Sequence, residues 1–247
     1  MTREDLTEPV TGGDPEADRR AKLQRLREEF GVEPYGGRVD GLLSLAEARD
    51  RYDAGADEAA KADAADDRRP VVKVAGRLVL HRDIGKLVFA TLRDATGDLQ
   101  IAVSKKSVDA QSMKLAKLAD LGDIVVVEGP LGTTKTGEVT VWADGEGAFE
   151  LACKSLAPPP EKWSGLKDPE LRYRKRYVDL YANPEVMRTM QLRIRIIDEI
   201  RQYLRDRGYV EVETPMLQSV QGGAAARPFT THHNALDIPL YLRIAPE

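Results

Sequence analysis

The sequence predicts an α+β protein with N-terminal helices, a small β-barrel and then the start of a domain built on an antiparallel sheet. Three observations predict this. Helix-capping residues stand near the amino terminus, short β-branched runs lie between residues 71 and 142, and a long amphipathic pattern follows residue 184.

Composition excludes several classes of protein. The chain has 247 residues, 42% of them hydrophobic, and carries 37 basic and 41 acidic side chains for a net charge of -4. That balance is too apolar for a disordered chain, and no apolar run approaches the roughly 20 residues that span a bilayer. The start has no apolar signal sequence, and a single cysteine, Cys153, excludes an internal disulfide. We therefore expect a reduced, cytoplasmic protein without a membrane partner.

The first 69 residues are predicted to form an N-terminal extension with two helices. Asp14 is a suitable N-cap before a proline, and Gly31 is a suitable end for that first helix. The second helix opens with a capping box, Ser44–Glu47, and is predicted to end near Gly55. The segment that follows either extends this helix or forms a linker.

The next region is predicted to be a barrel because turn residues separate short β-branched runs. These predicted strands are Val71–Leu80, Lys86–Leu92, Leu99–Val103, Ile124–Leu131 and Val139–Trp142. A helical segment, Ser107–Leu121, stands between the third and the fourth. Three strands, a helix and two strands is the order of an OB-fold, a small barrel that often binds oligonucleotides, although five short strands also fit an SH3-like barrel.

Three consecutive prolines after Ala157 mark the end of the barrel. Beyond a linker, apolar residues recur at helical spacing from Pro184 to Gly208, and an alternating run, Tyr209–Pro215, is predicted as a strand. The final run, Leu240–Glu247, is predicted as a strand with nothing after it to pair with it or cover it. The predicted domains are residues 1–69, 70–157, 158–183 and 184–247.

Several motifs have ordinary interpretations. The run Gly132–Gly137 lacks the Lys-Ser/Thr pair of a phosphate loop and is interpreted as a hairpin turn. His232 and His233 would point to opposite faces of a strand, so we predict polar packing and no metal site. Cys153 is interpreted as a buried side chain, since no partner histidine is identifiable. The basic stretch 172–176 fits a solvated helix face, but its interleaved tyrosines, Tyr173 and Tyr177, also fit a packed or an RNA-facing surface.

Phe89 and Gln100 fall on the second and third predicted strands. An aromatic ring and an amide on one barrel face would suit base stacking and the reading of a base edge. The alternative is that Phe89 belongs to the core and Gln100 is a solvated strand residue. The register between the two strands decides whether they share a face, and it cannot be determined from the sequence alone.

Longer motifs resemble one family. Trp163–Leu180 resembles the linker of class II lysyl-tRNA synthetases, and Gly208–Pro215 resembles the following segment of that family. Gly222–Asp237 and Tyr241–Glu247 resemble the lysine-specific members in particular. The resemblance runs from about residue 15 to the end. It implies an anticodon-binding OB-fold domain followed by the start of a class II catalytic domain, whose antiparallel sheet would be incomplete.

The resemblance implies roles for four barrel residues in anticodon binding. Phe89 matches the aromatic that stacks on an anticodon base, Gln100 and Glu138 match residues that read base edges, and Arg82 matches a basic contact. Stacking contributes about 1–3 kcal/mol per base, and hydrogen bonds to an unstacked uridine supply the choice among bases.

The resemblance also implies roles in the second domain. Gly223 and Glu247 match positions that hold the substrate lysine, where a glycine allows close backbone approach and a carboxylate can pair with the α-ammonium. The helix 184–208 and Pro215 match motif 1 of class II synthetases, which packs across the two-fold axis of a homodimer. No catalytic residue and no metal ligand are predicted.

The implied activity is that of a lysine–tRNA ligase, which uses ATP and Mg²⁺ to attach lysine to tRNA. The family's motifs 2 and 3, which hold most of the ATP and Mg²⁺ ligands, do not occur before Glu247. We therefore expect a truncated chain that binds the tRNA anticodon arm and does not aminoacylate alone. The alternatives are a non-catalytic RNA-binding or regulatory paralogue and a generic OB module that binds single strands without anticodon preference.

Overall fold

The computed structural model describes residues 14–35, 37–160, 166–223 and 225–245. The chain divides into two compact units, Met1–Ser164 and Gly165–Glu247. Within the described residues, no helix combines the length and the apolar character needed to cross a membrane. The boundaries predicted at 69/70, 157/158 and 183/184 stay predictions.

The first unit contains helices around a six-stranded sheet. Its helices are α1 (Pro15–Phe30), α2 (Leu45–Asp50), α3 (Ala54–Ala62) and α4 (Ala110–Leu118), and its strands are β1 (Val71–Asp83), β2 (Leu87–Arg93), β3 (Asp98–Val108), β4 (Ile124–Thr133), β5 (Val139–Gly145) and β6 (Phe149–Cys153). The predicted order of three strands, a helix and two strands is confirmed. The helix predicted over Ser107–Leu121 is shorter, because β3 continues to Val108 and Asp109 caps the helix.

Local capping explains the N-terminal helices. The Asp14 side chain accepts a hydrogen bond from the Glu16 backbone amide, and Ser44 forms the predicted capping box. The prediction that the second helix ends near Gly55 is wrong. That helix ends at Asp50, and a separate helix begins at Ala54 because the Asp53 carboxylate caps its first turn.

The barrel closes because β1 is long enough to pair with two strands. Residues 71–77 of β1 pair antiparallel with β4, and residues 77–83 pair antiparallel with β2. The sheet continues through β3, which pairs in parallel with β5, and β5 returns to β4. This closed circuit of five strands is the OB-fold arrangement that the strand order predicted.

One glycine permits the closest backbone approach in the barrel. A Cβ atom at Gly129 would lie 1.8 Å from the carbonyl oxygen of Trp142. No side chain can occupy that position without moving β4 away from β5, so glycine is required where the barrel closes. The interior is filled by aliphatic side chains, among them Leu78, Ile101 and Val127, none of which is more than 1% exposed.

A sixth strand was not predicted. Phe149–Cys153 pairs antiparallel with β4 and adds to the closed sheet. The run of residues that forms it is short and begins directly after the turn around Gly147, so it shows no clear alternating pattern. Cys153 ends this strand and is half-buried rather than fully buried.

A buried ionic cluster lies directly after β6. Lys154 is fully buried, and its ammonium Nζ lies 2.6 Å from Asp120 Oδ2 and 2.8 Å from Asp123 Oδ2. Asp123 is also fully buried. Burial raises the pKa of Asp120, but hydrogen bonds from Lys154 and Lys22 outweigh burial and leave that pKa below its usual value.

The same cluster attaches α1 to the barrel. Lys22 of α1 donates to Asp120 Oδ1 at 2.6 Å. Arg19 is 8% exposed, and its guanidinium donates to the carbonyl oxygens of Ser155 at 2.9 Å and Leu121 at 3.0 Å. Among the described residues of α1, Leu26 is the only apolar one that is fully buried, so α1 contacts the barrel through polar as well as apolar side chains.

The second unit contains three helices and a small antiparallel sheet. Its elements are α5 (Pro169–Arg174), α6 (Arg176–Ala182), α7 (Pro184–Arg205), β7 (Leu217–Gln218), β8 (Thr230–His233) and β9 (Ile238–Leu242), with the sheet order β7-β9-β8. The long amphipathic helix and the antiparallel sheet are confirmed.

One strand prediction for the second unit is wrong, and another is displaced by a few residues. Tyr209–Pro215 is not a strand, because the described residues give its backbone no neighbouring strand to pair with. The final run, Leu240–Glu247, was predicted as a strand, and the strand β9 lies slightly earlier, at Ile238–Leu242. Its partners, β7 on one side and β8 on the other, both precede it in the chain. The alternating pattern indicated an extended backbone, which is not sufficient for a strand without a partner.

Candidate nucleic-acid interface

The outer face of the barrel carries the residues that the sequence singled out. Along β2, Val88, Ala90 and Leu92 are buried, so the alternate residues lie on the outward side. Phe89 is one of these and is half-buried outside the hydrophobic core. The alternative interpretation of Phe89 as a core residue is wrong.

Strand register brings Phe89 and Gln100 to one face. Phe89 pairs with Arg82 on β1 and with Ala102 on β3, and Gln100 pairs with Thr91. Phe89 and Thr91 are two residues apart on β2, so their side chains lie on the same side of the sheet. Gln100 therefore lies on the face that carries Phe89, one pair further along the strands.

These residues line a groove, which we call the outer groove, with a volume of about 530 Å³. Its lining residues are Leu80, Arg82, Leu87, Phe89, Ala90, Thr91, Gln100, Thr133, Thr134, Lys135, Thr136 and Trp142. The two charged side chains in this lining, Arg82 and Lys135, are both basic. An aromatic floor beside exposed cations is the combination that binds single-stranded nucleic acid.

Trp142 lies beside Phe89 in this groove. The two ring centroids are 6.1 Å apart and the planes meet at 75°, an edge-to-face contact. Trp142 is on β5 and pairs with Ala102 of β3. This contact favours one orientation of the Phe89 ring.

Gln100 and Glu138 are connected through Thr140. The Gln100 amide nitrogen donates to Thr140 Oγ1 at 2.9 Å, and the Thr140 hydroxyl donates to the Glu138 backbone carbonyl at 3.0 Å. Glu138 itself is exposed, and it stands one residue before β5 in the same alternation as Thr140 and Trp142. Three of the four predicted anticodon contacts thus line the groove, and Glu138 lies beside it.

The hairpin that forms one wall of the groove is the predicted turn at Gly132–Gly137. The backbone amide of Thr134 donates to the Glu138 carbonyl, and Gly137 has a φ of 84°, which favours glycine. Because β4 and β5 pair antiparallel on either side of it, the interpretation as a hairpin rather than a phosphate loop is confirmed.

Asp57 of α3 holds that hairpin in place. Its Oδ2 accepts from the Thr133 backbone amide at 2.9 Å, from the Thr133 hydroxyl at 2.7 Å and from Lys61 Nζ at 2.7 Å. Burial raises the pKa of Asp57, and these hydrogen bonds outweigh burial and lower the pKa to about 2. The carboxylate therefore stays ionised at neutral pH and secures Thr133 in the wall of the groove.

A second groove lies between the N-terminal extension, α4 and the β5–β6 turn, with a volume of about 410 Å³. Its charged lining residues are Glu33, Asp109, Glu146 and Glu150, so we call it the acidic groove. The Ser112 hydroxyl and backbone amide hold the pKa of Asp109 well below its usual range. Such a surface repels phosphate groups, which makes the outer groove the nucleic-acid candidate.

The residues predicted to hold lysine are placed only in part. Gly223 has a φ of 92°, and a Cβ atom there would lie 3.1 Å from the Ala245 Cβ. The chain around residue 245 therefore passes directly beside Gly223. Glu247 lies outside the described residues. Pro215 is exposed, between Thr214 and Met216, whose carbonyl oxygens accept hydrogen bonds from Arg243.

In and beside the basic stretch 172–176, the arginines and the tyrosines have different surroundings. Arg172 and Arg176 both form ion pairs with the fully buried Asp179, while their own side chains are 39% and 35% exposed. Tyr173 and Tyr177 are 77% and 69% exposed. The RNA-facing alternative for this segment stays a prediction.

The histidine pair lies on the short strand β8. His232 and His233 are exposed, and His232 contacts Asn234 and Asp237, as polar surface residues do. Within the described ranges, no group of three His, Cys, Asp or Glu side chains is placed to hold a metal ion.

Sequence reasoning missed Trp142 and Thr140. Both stand on β5 at two-residue spacing from Glu138, so the alternation of that strand contained the signal once Glu138 was singled out. The parallel pairing of β5 with β3, which brings them to Phe89 and Gln100, could not be deduced from the sequence.

Two family models match the chain and define its class. One, described as an OB-fold nucleic acid binding domain, matches residues 72–146. The other, described as tRNA synthetases class II (D, K and N), matches residues 168–247. Together they identify a class II tRNA synthetase sequence with an OB-fold domain ahead of the synthetase region.

Similar relatives carry the name lysine–tRNA ligase. A lysine–tRNA ligase of Carboxydothermus hydrogenoformans is 47% identical over 92% of this chain and 43% of its own length. One of Pelotomaculum thermopropionicum is 45% identical over 99% of this chain and 47% of its own length. One of Magnetococcus marinus is 48% identical over 94% of this chain and 44% of its own length. The chain belongs to the lysine–tRNA ligase family, and it spans a little under half the length of these relatives.

Proposed function

We propose that the barrel binds the anticodon arm of a lysine-accepting tRNA through the outer groove. Phe89 stacks on an anticodon base, Gln100 and Glu138 contact base edges, and Arg82 pairs with the phosphate backbone. The activity of the whole protein, on this proposal, is the ATP-dependent attachment of lysine to tRNA in the cytoplasm.

The observation that supports the proposal best is the convergence of these side chains on one groove. Phe89, Gln100 and Arg82 come from three different strands, and they line one basic, partly apolar surface. Single-stranded RNA is recognised by such a surface, because unstacked bases find an aromatic ring and hydrogen-bonding groups together. Anticodon loops present unpaired bases in that form.

Gly223 and Glu247 are proposed to bind the substrate lysine. The positive φ of Gly223 and its approach to Ala245 support a close passage of the backbone at this point. An added side chain there would be strained and would meet Ala245. Glu247 is proposed to pair with the α-ammonium group of lysine.

ATP and Mg²⁺ are implied by the family. The described part of the chain offers no cluster of carboxylates or histidines suited to Mg²⁺.

A homodimer is proposed through α7 and the segment ending at Pro215. No residue of α7 is buried, although the helix carries an apolar face. Two residues of that face, Ile194 and Ile200, are 60% and 55% exposed. Val210 and Val212, in the extended segment that follows, are 81% and 72% exposed. Apolar surface of this extent on one helix and its continuation favours a covering partner.

The experiment that tests the proposed function is a titration of the chain with a fluorescent RNA stem-loop carrying a lysine anticodon. Lysine codons begin with two adenines, so the central anticodon base is uridine. We expect tighter binding to this stem-loop than to one that differs only by cytidine at the central position. Equal affinity for the two would favour the generic single-strand-binding module instead.

A further inference from the structure

We propose that Thr140 sets the base preference of the outer groove by fixing the orientation of the Gln100 side-chain amide. Thr140 contacts no ligand on this proposal, and it acts as a positioning residue for Gln100. The inference rests on the proposed function, because it assumes that Gln100 contacts an anticodon base.

The first step is the direction of the Thr140 hydroxyl. Thr140 is fully buried, and its Oγ1 has two neighbours, the Glu138 backbone carbonyl at 3.0 Å and the Gln100 amide at 2.9 Å. A carbonyl oxygen can only accept a hydrogen bond, so the single hydroxyl proton is donated to Glu138. The Thr140 oxygen is then left as an acceptor toward Gln100.

The second step fixes the amide. The nitrogen and oxygen ends of a glutamine amide have the same shape, and only the hydrogen-bond network distinguishes them. Because Thr140 can only accept from Gln100, the amide nitrogen must face Thr140. The amide oxygen Oε1 is the end that remains, and it has no hydrogen-bond partner within the described residues.

The third step is the chemistry of the bases. Gln100 lines the outer groove, so its oriented amide offers a fixed acceptor there. Uridine carries a hydrogen-bond donor at N3, whereas cytidine carries an acceptor at the same position. A fixed acceptor opposite N3 therefore accepts a bond from uridine and repels cytidine. An amide free to rotate could present its nitrogen to cytidine and would discriminate less.

Glu138 is part of the same arrangement. Its backbone carbonyl receives both the Thr140 hydroxyl and the Thr134 backbone amide, the latter at 3.0 Å. The hairpin that positions Glu138 therefore also determines which way the Gln100 amide faces. Gln100 and Thr140 are 40 positions apart in the sequence. The parallel pairing of β3 and β5 brings them together.

The test compares the affinities of variants for two stem-loops that differ by uridine or cytidine at the central anticodon position. Thr140→Val keeps the shape of the side chain and removes the hydroxyl. We expect the preference for uridine to fall about five- to tenfold, the factor that one hydrogen bond contributes. Thr140→Ser retains the hydroxyl and is expected to retain the wild-type preference.

A second background separates positioning from stability. In Gln100→Ala, the substitution Thr140→Val should cause no further loss of preference, because the amide that it orients is gone. Should valine prevent folding, Thr140→Ala provides the same comparison. If Thr140→Val leaves the ratio of the affinities for the uridine and cytidine stem-loops unchanged, even with an equal loss for both, the inference is overturned while the proposed function stands. Equal binding of both RNAs by the wild-type chain would overturn the proposed function and this inference with it.

Discussion

Replacing Lys154 by methionine is expected to destabilise the barrel by about 3–5 kcal/mol, the cost of removing one partner from a buried ion pair. Methionine fills the volume of the lysine side chain but leaves the buried carboxylate of Asp123 without its cation. Urea titration followed by Trp142 fluorescence would measure the loss. Trp163, the other of the two tryptophans, is changed to phenylalanine in all variants so that only the barrel is observed.

Lys22→Met is the matched control. Lys22 also binds Asp120, but its side chain is 32% exposed, and ion pairs exposed to this degree contribute at most about 1 kcal/mol. A small change for Lys22→Met beside a large one for Lys154→Met is the expected pattern. Equal small changes would show that the buried cluster does not stabilise the fold as described.

Replacing Phe89 by alanine is expected to weaken binding of the lysine anticodon stem-loop by about 1–3 kcal/mol, which is roughly a five- to 150-fold rise in Kd. The physical reason is the loss of the aromatic surface on which a base stacks. The side chain lies outside the core, so the barrel should remain folded. Fluorescence anisotropy with labelled RNA measures the change in Kd.

Two further variants separate stacking from general packing. Phe89→Tyr keeps the ring and should bind within about twofold of the wild-type chain, while Phe89→Leu keeps apolar bulk without a ring and should lose affinity as alanine does. Wild-type affinity in Phe89→Leu would exclude base stacking at this position, whatever the result for alanine.

The barrel could be predicted from the sequence because its local signals and its tertiary structure agree. Turn residues separated each β-branched run, and the capping residues Asp14 and Ser44 marked two helix starts. Helix and strand ends were less predictable, since they depend on local competition. Asp53 starts a new helix where the sequence suggested that one was ending, because its side chain satisfies a free amide.

The outer groove was predictable only in its parts. Phe89 and Gln100 were identified by residue type and by family resemblance, but the sequence did not reveal the register that places them together. Trp142 and Thr140 were missed because a tryptophan and a threonine on a strand normally indicate β propensity alone. Their importance comes from the parallel β3–β5 pairing, which joins residues far apart in the chain.

In the second unit, the alternation of apolar and polar residues was not sufficient to predict the strands. The alternation in Tyr209–Pro215 predicted a strand, yet pairing depends on a neighbour that the pattern does not specify. The last run, by contrast, was predicted as a strand and contains one, Ile238–Leu242, because β7 and β8 flank it. Periodicity indicates an extended backbone, and only the tertiary structure decides which extended segments become a sheet.

The central claim, that the anticodon binds in the outer groove, is tested most directly by NMR titration of the ¹⁵N-labelled chain with the unlabelled stem-loop. We expect the shifted backbone amides to cluster on β1, β2, β3 and β5, around Arg82, Phe89, Gln100 and Thr140. Shifts concentrated around the acidic groove near Glu146 and Glu150, with the outer groove unchanged, would contradict it.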